Sequence, residues 1–374
     1  MKKSQKNQIG TICSQLILTI SLSLLLGFYS EISAQFKEES ARAAYELRMN
    51  GEILYASAML QKLTNLRKTE GGLVQYEMAR TKEHQGNGGA EWINADQIIG
   101  SSKWAVSEDP QNLLFTYYDA QCRFGKAYVS IMQEGKTAGE DINMAVESLE
   151  KVLELDPDFH EVRVQLVEIY GQLPEDLAGD KEMAEMHASY LEDKDLYFGM
   201  LAREAMLTEN DSRIDYWKEE SNKQMNDTRI AVKLGKAYLL DGNIEEARPL
   251  FESAIKEDPI YNILLLHIAR YHMYQVMWDQ GKVEEELPFA ETAIRQYLDS
   301  EPEPIAPLRA WAIGKLAMFK RFSGETEESN RLIEEAMVLD PSFSKASGLP
   351  GLGLYVPPGE IYRSGDYESF LRPF

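Results

Sequence analysis

A 34-residue pattern over residues 228–261 constrains the fold of this chain more than any other feature. Small and bulky apolar residues recur there at fixed spacings, a glycine follows the first half and a proline ends the unit. Two helices joined by a tight turn need this arrangement, because small side chains let the helices approach and bulky ones fill the gap between them. The pattern is carried by Leu234, Gly235, Tyr238, Gly242, Ala247, Phe251, Ala254 and Pro259.

These positions have the spacing of a tetratricopeptide repeat, and residues 310–343 repeat it with Gly324, Ala336 and Pro341. Weaker or interrupted copies fill most of the remaining chain, which therefore resembles exported bacterial members of the tetratricopeptide-repeat family. The resemblance implies an all-α, right-handed superhelical solenoid of about eight helical hairpins whose first helices line a concave groove. The predicted repeats are 37–70, 72–112, 118–159, 160–193, 194–227, 228–261, 262–304 and 310–343, of which 194–227 matches worst.

The hairpins should form one continuous array over residues 35–343, because a single hairpin cannot bury its own apolar face. Residues 344–374 differ, since they are rich in glycine, proline and aromatic residues and do not continue the helical pattern. Five aromatic residues in so short a segment favour burial over disorder. We expect this tail either to cap the last hairpin or to fold back into the groove.

The first 34 residues are typical of a secretory signal peptide. Three lysines precede an apolar run over residues 16–28, and small residues end the segment at Ser33 and Ala34. We expect cleavage before Gln35 and export to the periplasm or cell envelope. An uncleaved anchor is the alternative, but the apolar run is shorter than the ~20 residues that span a bilayer, so no membrane span is expected after cleavage.

The charge of the chain restricts its partners. Removing residues 1–34 takes away three lysines and one glutamate, so the formal charge changes from −22 to −24. A strongly acidic protein is a poor general binder of nucleic acid or anionic membranes, which attract positive surfaces. The mature chain keeps one cysteine, Cys122, which cannot form an intrachain disulfide and is interpreted as a small buried apolar residue.

Catalytic and metal-binding motifs are missing from the sequence. None of the five histidines has the spacing with a glutamate that a zinc-protease helix requires, and neither a nucleophile elbow nor a phosphate-binding glycine loop occurs. Asp241 and Asn243 flank Gly242 but lack the ligand spacing of a calcium loop. We therefore expect no cofactor, no metal and no enzyme activity, with a hydrolase built on unrecognised carboxylates as the remaining alternative.

The groove positions of the repeat suggest where a partner binds. In this family the sixth and ninth positions of each repeat resemble ligand-facing residues, and eight of these sixteen positions are lysine or arginine here. Either these cations bind an acidic partner, or they neutralise glutamates on adjacent helices. The predicted surface lies on the C-terminal hairpins and consists of the cations Lys233, Lys236, Arg270 and Lys315 and the apolar or aromatic residues Leu240, Tyr274, Trp311 and Phe322.

Together these features predict an exported, non-catalytic scaffold that binds an acidic protein or peptide in its concave groove. An extended or helical segment bearing carboxylates would suit a surface of cations and apolar area. The alternative is a periplasmic solute-binding or transport accessory protein that holds a small anionic ligand inside the superhelix.

Overall fold

The computed structural model describes residues 39–65, 71–86, 95–208, 210–224 and 227–341. The predicted signal peptide and the tail lie outside these residues. Sixteen α-helices and no strand occur in the described part, so the predicted all-α solenoid is confirmed. The helices of the first four hairpins are α1 (39–49), α2 (Ile53–Asn65), α3 (Gly72–Gly86), α4 (Ala95–Glu108), α5 (Leu113–Met132), α6 (Ala138–Leu155), α7 (His160–Gln172) and α8 (Lys181–Lys194).

The second half continues with α9 (Leu196–Ala205), α10 (Arg213–Lys223), α11 (Thr228–Leu240), α12 (Ile244–Glu257), α13 (Leu264–Trp278), α14 (Val283–Leu298), α15 (Ala306–Phe322) and α16 (Thr326–Leu339). Short 3-10 helices cover Glu175–Leu177, Pro259–Ile263 and Gln280–Lys282. The largest apolar core is continuous from α9 to α16, a second joins α5 to α9, and two smaller ones lie under α1 to α5.

The packing inside the best-matching repeat agrees with its sequence pattern. Gly235 lies against the ring of Phe251, and a Cβ at this position would be 2.5 Å from Cε1 of that ring. Ala247 is fully buried, whereas Glu245 on the same helix is exposed. Gly242 has a φ of +82°, a left-handed conformation that glycine adopts without steric cost. The predicted roles of these small residues in the hairpin are therefore confirmed.

Two helices begin earlier in the chain than the repeats that the sequence predicts around them. Helix α5 begins at Leu113 rather than 118, because Asn112 caps it by accepting a hydrogen bond from the backbone N–H of Phe115. Helix α15 begins at Ala306 rather than 310, with Pro307 in its first turn, where the missing N–H of proline is harmless.

The repeat over 194–227 differs most from the expected hairpin. The backbone of helix α9 packs mainly on α7 and α8, while that of α10 packs mainly on α11. Side chains still join the two helices, because Tyr216 donates a hydrogen bond to the carbonyl of Met200 and Trp217 donates one to Glu204. Residues between them form a separate turn, in which Asp211 accepts hydrogen bonds from the backbone N–H and the hydroxyl of Thr208. The weak repeat pattern in this range therefore corresponds to a split pair of helices.

Buried histidines connect neighbouring hairpins at two places. Arg248 on α12 donates a hydrogen bond to Nε2 of His272 on α13 at 3.1 Å, and Nδ1 of the same ring donates to Glu286 on α14 at 2.6 Å. Burial lowers the pKa of His272, which fits a neutral ring that accepts on one side and donates on the other. An analogous group of Glu150, Arg163 and His187 joins α6, α7 and α8.

The first hairpin also touches the last one. The turn at Gly51 lies against the backbone carbonyl of Leu339 at the end of α16 and near the methyl group of Ala306 at the start of α15. A side chain at residue 51 would overlap that carbonyl, so the contact requires glycine. The solenoid thus closes on itself at this point.

Candidate functional site

The predicted cations lie on the first helices of the last three hairpins. Lys233 and Lys236 are on α11, Arg270 is on α13 and Lys315 is on α15. Repulsion from Lys236 and Arg270 contributes to the lowered pKa of His267 on α13, and repulsion from Arg270 contributes to that of Lys315, so these groups influence one another across the helices. The stacking of equivalent helices in a solenoid therefore brings the predicted cations into one region.

Lys233 is neutralised by a glutamate that the repeat pattern did not identify. Its Nζ lies 3.0 Å from a carboxylate oxygen of Glu204 on α9, and the other oxygen accepts a hydrogen bond from Nε1 of Trp217 at 2.8 Å. The alternative interpretation, pairing with an acid on an adjacent helix, is thus correct for this lysine. Glu204 could not be identified from the repeat pattern, because it belongs to the repeat that matches worst.

Lys236 and His267 are in a different environment. Burial, followed by repulsion from Lys233, lowers the pKa of Lys236 to about 8, although Glu204 partly opposes the shift. Burial, followed by repulsion from Lys236 and Arg270, lowers the pKa of His267 to about 3. The imidazole is therefore neutral at pH 7, and the region is one in which added positive charge is unfavourable.

Lys315 is the most deeply buried of the predicted cations, with 3% of its surface exposed. Burial, followed by repulsion from Arg270, lowers the pKa of its amine to about 7. The amine lies 5.1 Å from the centre of the Trp311 ring, close enough for a cation–π interaction. We call Lys236, His267, Arg270 and Lys315 the groove cluster.

The aromatic and apolar residues of the predicted surface divide into exposed and buried ones. Leu240 is 81% exposed and Phe322 is 49% exposed, and each ends the first helix of its hairpin. Tyr274 is partly buried near Arg270. Trp311 is only 4% exposed. The prediction that Trp311 offers apolar contact area is therefore corrected, because its ring packs within the core of the last hairpins.

Cations on the first helix of an earlier hairpin are engaged with acids. Arg123 forms an ion pair with Asp119 at 2.7 Å, and Lys126 lies 3.1 Å from Asp96 and 3.3 Å from Asp141. The hydrogen bond to Asp96 raises the pKa of Lys126, opposite in direction to the shifts in the groove cluster. The equivalent positions of this hairpin thus stabilise the fold.

The remaining candidates from the sequence carry no reactive group. Cys122 is buried, as expected, and burial raises the pKa of its thiol well above the usual value, so the thiolate is suppressed. Among the described residues, no three His, Cys, Asp or Glu side chains gather in a way that could hold a metal ion. In that same part of the chain, no helix combines the length and apolar character of a membrane span.

Comparison with known families identifies the repeat. A family model described as tetratricopeptide repeat matches residues 138–159 and 228–261. The first segment covers α6 and its exit, and the second covers the complete hairpin α11–α12. The chain is a tetratricopeptide-repeat protein. No curated protein matches its sequence significantly.

Several solved structures resemble this tetratricopeptide-repeat protein at low similarity. A monomeric IFIT1 mutant with Gppp-AAAA has a TM-score of 0.37 and 14% identity, over 81% of this chain and 69% of that chain. A human IFIT1 dimer with PPP-AAAA has a TM-score of 0.33 and 14% identity, over 83% of this chain and 82% of that chain. The C-terminal part of a repeat protein from Cytophaga hutchinsonii has a TM-score of 0.27 and 15% identity, over 84% of this chain and 100% of that chain.

Proposed function

We propose that this tetratricopeptide-repeat protein is an exported scaffold that binds an acidic protein or peptide segment in the groove of its last three hairpins. Proteins built from these repeats are generally non-catalytic scaffolds for protein interaction. The groove cluster is the observation that carries the proposal. Burial and repulsion from neighbouring cations lower the pKa of Lys236 and of Lys315, so a negatively charged group of a partner would be favoured beside them.

Charge complementarity explains how an acidic chain can bind an acidic partner. The repulsion of the distant acidic surface is screened over ~8 Å at physiological salt, whereas cations in direct contact with the ligand are screened much less. The exposed side chains of Leu240 and Phe322 add apolar area at the ends of α11 and α15. A segment that alternates acidic and apolar residues would satisfy both features.

Binding of a model peptide tests the proposal. A fluorescent peptide of alternating Glu and Leu should bind the wild-type protein, and added salt should weaken the binding. Replacing Lys236, Arg270 and Lys315 together by Gln should abolish it while leaving the helical circular dichroism intact. A matched variant with Lys126, Lys223 and Arg331 changed to Gln removes the same charge from cations in ion pairs and should bind normally. Equal binding by both variants would show that the peptide binds elsewhere on the protein and would refute the proposed site.

Export is tested separately from binding. The sequence pattern of residues 1–34 supports cleavage before Gln35, and mass spectrometry of the protein from cell fractions should find Gln35 as the first residue, either free or cyclised. An intact N-terminus on membrane-bound protein would refute secretion and favour an anchored protein.

A second candidate function is binding of a small anionic solute inside the superhelix. The contact of Gly51 with Leu339 favours it, because a solenoid whose ends touch encloses its groove. Thermal stabilisation by small organic acids, without binding of the acidic peptide, would support this candidate over the scaffold.

A further inference from the structure

The first helices of the last three hairpins end in exposed apolar side chains. Leu240 ends α11, Trp278 ends α13 with 85% of its surface exposed, and Phe322 ends α15. The residue of α7 at the same repeat position as Leu240 is the polar Gln172, whose amide donates hydrogen bonds to two backbone carbonyls around the end of α9. The apolar ends are therefore a property of these three hairpins. We call Leu240, Trp278 and Phe322 the apolar edge.

A contact between neighbouring hairpins places Trp278 beside the turn that follows Leu240. The hydroxyl of Tyr271 on α13 donates a hydrogen bond to the carbonyl of Gly242 in that turn, at 2.8 Å. Trp278 comes two helical turns after Tyr271, so it lies on the same side of α13 and about 10 Å further along the helix axis. The indole therefore overhangs the turn between α11 and α12.

The other neighbour of this hairpin is arranged in a similar way. Lys320, near the end of α15, lies 3.1 Å from a carboxylate oxygen of Glu291 in the middle of α14. Two turns of α14 precede Glu291, so the start of α14 extends past the end of α15. The turn between α13 and α14 thus projects beyond both of its neighbours, and Trp278 lies between Leu240 on one side and Phe322 on the other.

The charges at this edge discriminate between possible occupants. Asp241 and Asp279 each follow an apolar end directly, and both are exposed. The whole chain has a formal charge of −22, so a second copy would bring further negative charge to the same edge. The tail, residues 344–374, contains three lysines or arginines and three aspartates or glutamates, so its formal charge is zero. The tail can therefore approach this edge without the repulsion that a second copy would meet.

The tail also starts within reach of the apolar edge. The contact of Gly51 with Leu339 and Ala306 shows that the end of α16 lies beside the start of α15, at the opposite end of that helix from Phe322. The 17 residues of α15 span about 25 Å. An extended chain covers ~3.3 Å per residue, so about eight residues bring the tail to Phe322 and the rest can follow the edge.

We propose that the tail of this chain docks on the apolar edge, with its aromatic side chains against Trp278, Leu240 and Phe322. Five aromatic residues, four leucines, one valine and one isoleucine in the tail supply the matching apolar area. Docking removes apolar surface on both sides from water, and clustered exposed apolar side chains are typical of such an interface. Prolines in the tail favour an extended backbone, which suits a segment that crosses several helix ends.

Photo-crosslinking of the full chain tests the docking. The photoreactive amino acid p-benzoylphenylalanine, placed at Trp278, keeps an aromatic side chain at the edge and on irradiation reacts with the C–H groups next to it. Digestion and mass spectrometry should then identify a crosslinked peptide from residues 344–374 of the same chain. The matched control places the same amino acid at Tyr128, an exposed aromatic residue on α5, where no crosslink to the tail is expected.

A mixture of unlabelled and isotope-labelled protein distinguishes contacts within one chain from contacts between two. Crosslinks between labelled and unlabelled copies would show a second copy at the edge and overturn the proposal. Absence of a tail crosslink at Trp278, or equal crosslinking of the tail at Tyr128, would also overturn it. A full-length variant should lose the crosslink when serine replaces the five aromatic residues of the tail, which are Tyr355, Tyr362, Tyr367, Phe370 and Phe374.

Docking of the tail has a consequence for partner binding, and only this consequence rests on the proposed function. Leu240 and Phe322 also belong to the surface proposed for the acidic segment, so the tail competes with it. The serine variant should bind the Glu–Leu peptide about tenfold more tightly than the wild type, as expected if the edge is uncovered in about a tenth of wild-type molecules. Equal affinities would refute the competition. Absence of peptide binding to either protein would refute the proposed function, whereas absence of the tail crosslink would refute the docking.

Discussion

Replacing Lys315 by Met should stabilise the protein at pH 7. Methionine has a similar length and no charge, so it can occupy the same buried space beside Trp311 without repulsion from Arg270. Core substitutions usually destabilise a protein, so a gain in stability would indicate that the buried lysine lowers the free energy of unfolding.

The magnitude follows from the shifted pKa of Lys315. Burial and Arg270 lower this pKa from its usual 10.5 to about 7. At ~1.4 kcal/mol per pKa unit, the protonated amine destabilises the folded state by on the order of 4–5 kcal/mol. The variant also loses a cation–π contact worth ~0.5–2 kcal/mol. We therefore expect a net gain in the free energy of unfolding of about 2–4 kcal/mol at pH 7.

The dependence on pH has a definite sign. The unfolded lysine keeps its proton up to its usual pKa of 10.5, whereas the folded one loses it near 7. Between these values the unfolded state binds more protons, so the stability of the wild type increases with pH. Lys315→Met lacks this titration, and its advantage should shrink by ~2 kcal/mol between pH 7 and pH 9. Lys236 titrates in the same range but is present in both proteins.

Urea denaturation followed by circular dichroism at pH 7, 8 and 9 measures the effect. Lys126→Met is the matched control, because its pKa is raised by the hydrogen bond to Asp96 and it should show no stability gain in this range. A Lys315→Met variant that is less stable at pH 7, or whose advantage is constant from pH 7 to pH 9, would refute the reasoning.

Other predictions concern the hairpin packing, the buried histidine and the groove cluster. Ala247→Trp should lower the free energy of unfolding by ~1–3 kcal/mol or more, whereas Glu245→Gln on the exposed side should change it by no more than ~0.5 kcal/mol; equal tolerance in thermal denaturation would contradict the packing. His272→Leu should destabilise by ~2–4 kcal/mol, because it leaves Arg248 and Glu286 without their shared partner; an unchanged urea midpoint would exclude that role. Sulfate keeps two negative charges from pH 6 to pH 9, whereas Lys236 and Lys315 lose protons in this range. The affinity of sulfate for the groove cluster, measured by calorimetry, should therefore fall as the pH rises; a constant affinity would show that no lysine there titrates.

Much of the fold could be predicted from local sequence patterns. Gly242 and Gly324 were recognisable as turn residues because left-handed backbone strongly favours glycine, and both have positive φ values. Gly235 and Ala247 were recognisable because helices approach closely only over small side chains. Such constraints act within one repeat, so a spacing rule captures them.

The site was predicted less completely, because its properties depend on contacts between repeats. The sequence placed Lys233 and Lys236 in the groove but could not show that Glu204 neutralises the first. It also marked Trp311 as contact area, although the ring is buried. Burial and pairing arise from the way that successive hairpins stack, and a 34-residue register contains no information on that geometry.

The direction of the pKa shift distinguishes the two kinds of groove cation that the sequence could not separate. Lys126 has a raised pKa because nearby carboxylates stabilise its charge. Lys315 has a lowered pKa because burial and Arg270 destabilise its charge. A lysine whose charge is stabilised by carboxylates contributes to folding, whereas a lysine whose pKa is lowered by burial and a neighbouring cation reduces the free energy of unfolding. Lowered pKa values are frequent at functional sites, so this contrast, rather than the number of cations, is the argument for the groove proposed on the last three hairpins.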